Sequence, residues 1–424
     1  MLYDADIQDL MTLGTEARQM RILMATSFPI PGEYDGTAML PIKILRALKS
    51  RGVDVVHAHL KARPFGKVER GEFEGTPSYT LPMSSWVTGL KRVHREFPFD
   101  VVHAQHYGGA TRAHFACRVF GWPMVYEIHS LLGEEVERDK LGRGLSFKAY
   151  VALERDVCKH AAGVIVLGEP VRDVVVGEKG IPADRVSVIY PGIDLAEYDA
   201  PSVPVSIAGV GPEDQVVMYV GSIVHPNQGV PVLVDALPRI FAANPRARCV
   251  LVGGPASAGE EYQAKLGEYG DRLTVLVGQT PEQVVALTRR ADVLVHPRLA
   301  CKENYSVQSK IAVYLASGKP IVATDFGDYS TILGKTGAGR LTAVSPESLA
   351  EGILEVLADP ALAARLSAAT KPVAREYFGM ERNIDRYLDV YRRVLSPSRP
   401  LVPSRPFAAF AGGGKVTAPN APKS

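Results

Sequence analysis

Most of the chemistry this chain could perform sits at the ends of short apolar runs. His129 closes the run PMVYEIH (123–129), and Glu127, two residues earlier, falls on the same face of a strand. His103 and His106 end the run FDVVHAQH. An imidazole beside a carboxylate is a group that moves protons or holds hydroxyls. His57 and His59 alternate along VDVVHAH, which raises a metal reading, but the sequence places no third ligand beside them and they are read as polar strand-end residues. The stretch HPRLACKENYSVQSKIAVYLASGKPIVATD (296–325) has a different character. A strand is expected to end at Pro297, a polar loop follows, and a helix starts near Ser306 or Val307 and stops at Ser317-Gly318. Such a loop aims backbone N–H groups and a helix N-terminus, worth roughly half a positive charge, at one point, which makes an anion site suited to phosphate. Arg298, Lys302 and Lys310 supply cations to the same segment. In SFPIPGEYDGT (27–37), Gly32 and Gly36 allow close backbone approach ahead of a helix near Thr37, but their spacing is not the G-x-G-x-x-G of a dinucleotide fingerprint.

These groups need elements to hold them. From Met20 onward, β-branched runs alternate with helical periodicity, the pattern of parallel sheets covered by helices. Strands are expected at 21–27, 53–59, 99–105, 123–129, 163–167 and 185–190, and again at 215–222, 247–254, 272–278, 291–297, 320–325 and 339–344. This predicts an α/β protein with an N-terminal extension (1–19), a Rossmann-like domain (20–200), a Pro-punctuated linker (201–212) and a second Rossmann-like domain (213–375). A C-terminal helix (376–395) follows, with Ile384, Tyr387, Leu388, Tyr391 and Leu395 at helical spacing, expected to pack back on the first domain. The Pro-rich, Gly-rich stretch 396–424 reads as a disordered tail. Two facing parallel sheets put a ligand crevice at the carboxyl ends of their strands.

Composition narrows the classes. Of 424 residues, 46% are hydrophobic, enough for two cores, and no run reaches the ~18–20 apolar residues that span a bilayer. The net charge of +2 arises from the basic tail, so no basic domain for nucleic acid is present. Cys117, Cys158, Cys249 and Cys301 lack metal or disulfide spacing, and the acidic start MLYDADIQDLM is unlike a signal peptide; a cytoplasmic location is expected. Two basic, apolar segments, 40–52 and 84–97, have the character of interfacial helices, and a weak peripheral membrane contact is kept beside the simpler reading of solvated helix faces.

LASGKPIVATD, together with VMYVGSIVHPNQGVPVLVDAL (217–237), LVGG (251–254), VGQTPEQVVALTRRADVLVHP (277–297), VSVIYPGID (186–194), MRILMATSFPIPGEYDGT, HAQH and WPMVYEIHS, resembles the retaining glycosyltransferases of family 4, which have the GT-B fold. The order of these segments extends the resemblance over about residues 20–395. It implies a nucleoside diphosphate sugar, UDP- or GDP-linked, bound mainly by the second domain, and an acceptor bound mainly by the first. Transfer of a hexose to a hydroxyl with retention at the anomeric carbon is implied, with no cofactor and no metal. The Asp-x-Asp triplet of metal-dependent relatives of the other fold occurs only as Asp4-Ala5-Asp6, in the N-terminal extension.

The resemblance implies catalytic roles for His129 and Glu303, donor contacts from Gly221, Ser222, Gln228, Gly278, Arg298, Asn304, Tyr305, Ser306 and Lys310, and acceptor contacts from Gly36, His103 and His106. Several positions depart from the family pattern. Gly221-Ser222 and Gln228-Gly229 stand where many members have Gly-Arg and Lys-Gly, and the paired glutamates ahead of Gly318 are replaced by Tyr305 and Val313. The chain resembles a subset that carries Gln-Gly and Lys-Ile-x-x-Tyr-Leu-Ala-Ser-Gly-Lys-Pro. Two alternatives remain open at the level of sequence: a non-catalytic relative that binds a glycan or a partner protein, and a GT-B sugar-nucleotide epimerase.

Overall fold

In a computed structural model, residues 19–30, 36–60, 65–131, 145–201, 205–301 and 304–396 are described. Almost all of the expected tail and N-terminal extension, the loop 31–35, and Lys302 and Glu303 lie outside them. The apolar runs fold into two sheets. The first contains β1 (Arg21–Thr26), β2 (Asp54–Leu60), β3 (Glu69–Phe73), β4 (Thr76–Leu81), β5 (Val101–Gln105), β6 (Met124–Ile128), β7 (Gly163–Val166) and β8 (Val186–Val188), in the order β3-β4-β2-β1-β5-β6-β7-β8. The second contains β9 (Gln215–Val220), β10 (Ala247–Val252), β11 (Leu273–Leu276), β12 (Val293–His296), β13 (Ile321–Thr324) and β14 (Arg340–Thr342), ordered β11-β10-β9-β12-β13-β14 and parallel throughout. Strands such as β6 and β13 are buried along their whole length, as strands covered by helices on both faces must be.

Among the described residues, the β3–β4 hairpin is the one addition to the expected strands. Its β3, ERGEF, runs antiparallel along the sheet edge and is almost wholly exposed, so it lacks an apolar alternation to betray it. Glu74 and Gly75 turn it with φ of 49° and 69°.

Helices cover both sheets. Met380–Leu395 returns to the first sheet, where Ile384, Tyr387, Leu388 and Tyr391 share a buried cluster with Ile22, Met24, Val101, Val125 and Ile165. Within the stretch expected as linker, Ile207 is buried in the core of the second half; just before it, Tyr198 is buried in the same core and the Arg289 guanidinium donates to the Tyr198 and Ala200 carbonyls. Among the described residues no helix is long and apolar enough to cross a membrane. Of the basic residues in the segments that look interfacial, Arg46 pairs with Glu74, Arg51 with Asp385 and Arg92 with Glu96, so the protein's own acids balance these charges.

Both sheets reverse strand order at their centre, between β1 and β5 in the first and between β9 and β12 in the second, which is where open α/β sheets form ligand crevices. The two halves touch where the loop after β7 meets the loops after β12 and β13. The Val307 amide donates to the Leu167 carbonyl at 2.9 Å, and the Glu169 amide donates to Asp328 Oδ2 at 2.9 Å. Gly168 lies between them, where a Cβ would be 2.6 Å from the Tyr305 carbonyl oxygen. The loop that leads into the helix Ser309–Ser317 thus faces the opposite half.

Candidate active site

In the second half, the loop after β9 folds against the loop after β12. Gly229 adopts a left-handed φ of 72°, and a Cβ there would lie 1.6 Å from the Pro297 carbonyl oxygen, so only glycine allows this approach. The Leu299 amide donates to the Asn227 carbonyl at 3.2 Å, and Asn304 Nδ2 donates to the same carbonyl at 3.0 Å and to that of Leu299 at 2.5 Å. Asn304, expected as a donor contact, has a buried amide that ties the two loops together.

Lys310, the second residue of the helix Ser309–Ser317, reaches across to the loop after β9. Its Nζ donates to Gln228 Oε1 and to the Tyr219 hydroxyl, each at 2.7 Å, and lies 4.4 Å from the centre of the Tyr219 ring. The Tyr219 hydroxyl in turn donates to the Ser222 carbonyl at 2.9 Å. A Cβ on Gly221 would collide with the ammonium group, so Lys310 occupies the floor of the Gly221–Gln228 loop. Gly221, Ser222, Gln228 and Lys310 come together as one cluster. Lysine from the helix supplies a cation beside the very position, Gln228, where many family members carry one. Burial, reinforced by the Arg298 charge, holds the Lys310 ammonium well below its ordinary range. His296 ends the neighbouring strand β12 and Arg298 lies in the loop after it, both buried, and His296 is held neutral by burial and by the charges of Lys310 and Arg298.

Three further expected donor residues take different places. Ser306 is buried at the approach to the helix, and its Oγ has no hydrogen-bond partner among the described residues. Tyr305 is half-buried at the contact between halves and stacks on Phe326 at 5.8 Å. Gly278 follows β11, two strands away at the same carboxyl edge, exposed and with φ of 70°. Val313 faces apolar neighbours and offers no acceptor.

In the first half, β5 and β6 deliver a chain of polar groups to the strand ends. Glu127 is fully buried, with Oε1 3.1 Å from His129 Nε2 and Oε2 2.9 Å from His103 Nε2. The Tyr391 hydroxyl, from the C-terminal helix, meets His103 Nδ1 at 2.9 Å. Burial alone would push the Glu127 carboxyl up, but the hydrogen bonds from His103 and His129 and their charges prevail and bring it down to about 2. His129 Nε2 is hydrogen-bonded to Glu127 Oε1, His103 Nε2 stands in close contact with Oε2, and the Tyr391 hydroxyl holds His103 Nδ1, so the Nδ1 of His129 is the ring nitrogen turned away from the carboxylate. His129 keeps 12% of its side chain exposed, whereas His103 has none. His103, expected as an acceptor contact, is covered by the C-terminal helix and buttresses Glu127. His106 opens the helix His106–Phe120 in a left-handed conformation, φ 59°, with its ring 5.9 Å from that of His129. Gly36 opens the helix Gly36–Ser50.

His57 and His59 behave as structural groups. His57 bridges Thr26 Oγ1 and Ser78 Oγ at 2.9 Å each, His59 meets Thr80 Oγ1 at 3.0 Å, and burial pushes them down to about 3 and about 4. Sequence reasoning missed Tyr219 and Tyr391, whose only signal was the spacing that turned each toward a polar neighbour.

Residues 214–359 match the family described as Glycosyl transferases group 1, and residues 62–197 match Glycosyltransferase Family 4. The D-inositol 3-phosphate glycosyltransferase of Nocardia farcinica is 30% identical over 356 residues, covering 74% of each chain. That of Rhodococcus opacus is 27% identical over 77% of this chain and 75% of its own. Among solved structures, sucrose-phosphate synthase from Thermosynechococcus elongatus superposes with a TM-score of 0.69 at 19% identity, over 89% of this chain and 99% of its own. HepE from Anabaena, in complex with UDP, also gives 0.69, at 18% identity over 87% and 99%. With two parallel-sheet halves in the GT-B arrangement and relatives matched along most of its length, the chain belongs to the family 4 glycosyltransferases and is a glycosyltransferase.

Proposed function

We propose that the protein transfers a hexose from a nucleoside diphosphate sugar to an acceptor hydroxyl, with retention at the anomeric carbon and without a metal ion. The observation that carries this reading is the Lys310 cluster: a desolvated ammonium held under a glycine-lined loop, beside a helix start that faces the opposite half. A diphosphate seated there would gain the ammonium, the amides of the Gly221–Gln228 loop and the helix dipole, and the negative charge that develops on the leaving phosphate would be met without a cation from solution. UDP is the nucleotide that the relatives support, since HepE is known in complexes with UDP and UDP-glucose; GDP remains the second choice. The names of the sequence relatives support a small polyol or sugar phosphate as acceptor.

Across the cleft, His129 would hold the donor sugar through Nδ1 while Glu127 fixes the ring from behind. The acceptor oxygen attacks C1 on the face the phosphate leaves. The bond from C1 to the phosphate oxygen breaks, the bond from C1 to the acceptor forms, and the acceptor proton passes to the departing phosphate. His129 lowers the barrier by holding the sugar in reach and by hydrogen bonding where charge develops.

EDTA-treated protein, incubated with UDP-, GDP- and ADP-linked hexoses and polyol phosphate acceptors, tests the reading. Proton NMR of the product should show the donor's anomeric configuration. An inverted product, or a rate restored only by added metal, would contradict it. A changed nucleotide sugar formed without acceptor would favour the epimerase.

A further inference from the structure

The helix His106–Phe120 carries a second group of ligating atoms two turns beyond His106. His114, buried, faces Asp156 and His160, which lie one turn apart on the helix Leu145–His160. His114 Nε2 is 3.0 Å from Asp156 Oδ2, and His160 Nδ1 is 3.2 Å from Asp156 Oδ1; one atom from each residue falls within 4.8 Å of the other two. We propose that His114, Asp156 and His160 bind one divalent transition-metal ion of the Zn2+ class and so clip the two helices together.

Three features support this site. Bonds of about 2.0–2.1 Å in a tetrahedron set the ligand atoms about 3.3 Å apart, the size of the 3.0 and 3.2 Å separations that run from the two imidazoles to the two oxygens of the one carboxylate. Two imidazoles and one carboxylate suit Zn2+ rather than Mg2+ or Ca2+, which prefer oxygen. Asp156 and His160 keep 42% and 23% of their side chains exposed, leaving access for the ion and room for water as fourth ligand.

The ion replaces an existing set of contacts. His160 Nδ1 donates to the Asp156 carbonyl at 2.9 Å, and Arg118 Nη1 stands 3.6 Å from Asp156 Oδ2. On binding, each imidazole carries its proton on the nitrogen away from the ion, and the Arg118 guanidinium swings outward. Arg118 is thus a competing cation, and its removal should tighten metal binding. No cleft residue takes part, so the site is separable from sugar transfer.

Calorimetric titration of ZnCl2 into the EDTA-treated, dialysed full chain should show one ion per chain and a raised Tm. His160→Gln should weaken binding at least tenfold, Arg118→Gln should strengthen it, and both should keep the far-UV circular dichroism of the wild type. Co2+ bound to the wild type should give the intense visible bands of a four-coordinate ion, a readout that needs no variant. A wild type that binds no stoichiometric Zn2+, a pale six-coordinate Co2+ spectrum, or equal affinity in wild type and His160→Gln would overturn the proposal and leave the cluster as a hydrogen-bonded contact.

Discussion

Glu127 is the residue on which the first half of the cleft turns, because a single buried carboxylate sets the orientation of both His103 and His129. Glu127→Gln places an NH2 against at least one imidazole N–H and frees His129 to rotate. Misplacement of a contacting group costs about 100-fold in rate. We expect kcat to fall by roughly that factor, while the Kd of the nucleoside diphosphate, measured by calorimetry, stays unchanged; an equal loss of both would make Glu127 purely structural. The same substitution has a stability signature. The carboxyl titrates at about 2 when folded against an ordinary 4.5, so its stabilising contribution is full above 4.5 and is lost as pH falls toward 2. Urea midpoints of the wild type should therefore drop across that window more steeply than those of Glu127→Gln. Lys310 gives the converse case. Lys310→Met removes a desolvated charge, so the ligand-free protein should melt at an equal or higher temperature while its affinity for nucleoside diphosphate falls by about 1–3 kcal/mol. His129 and Lys310 could be picked from sequence because each ends or follows a recognisable run. The long-range pairings could not: Tyr391 reaches His103 across 288 positions, and Gln228, itself expected at the donor, reaches Lys310 across 82, and no local spacing encodes either pairing.

At the scale of elements, two glycines separate backbone conformation from close packing. Gly229 and Gly278 have nearly the same left-handed φ, 72° and 70°, but only Gly229 has a backbone oxygen in the path of a Cβ. Gly278→Ala should cost about 1–2 kcal/mol for the conformation alone. Gly229→Ala should cost clearly more, in thermal or urea unfolding, and should also weaken nucleotide binding, since it pushes the loop after β9 away from the loop after β12. Similar losses for the two variants would show that the loops adapt. Parallel strands were legible because burial on both faces leaves near-continuous apolar runs, as in QVVMYV and ARCVLV. The β3–β4 hairpin was not, since ERGEF lies exposed at the edge and TPSYTL carries a proline and four hydroxyl residues.

Across the whole molecule, the two halves are joined near the cleft by the Val307–Leu167 and Glu169–Asp328 hydrogen bonds. Burial raises the Asp328 carboxyl to about 6, with the Glu169 amide pulling the other way. A folded value above the ordinary 3.8 means that the folded protein binds this proton more tightly. The stabilisation from a protonated Asp328 is full below about 4 and is lost as pH rises to about 6. Asp328→Asn, which keeps an acceptor for the Glu169 amide, should gain stability relative to the wild type over that interval in urea unfolding; a pH-independent difference would argue against a strained carboxylate at the contact. The two-sheet plan could be read from the order of motifs, while the contact between halves depends on main-chain groups of Val307 and Glu169 that side-chain patterns do not report. The central claim is that a nucleoside diphosphate sits on the Lys310 cluster without a metal ion. Calorimetric titration of UDP, GDP and ADP into EDTA-treated wild type and Lys310→Met tests it most directly. One nucleotide should bind at a single site per chain and weaken at least tenfold in the variant; binding of none of the three to the wild type, or equal binding to both proteins, would contradict the account.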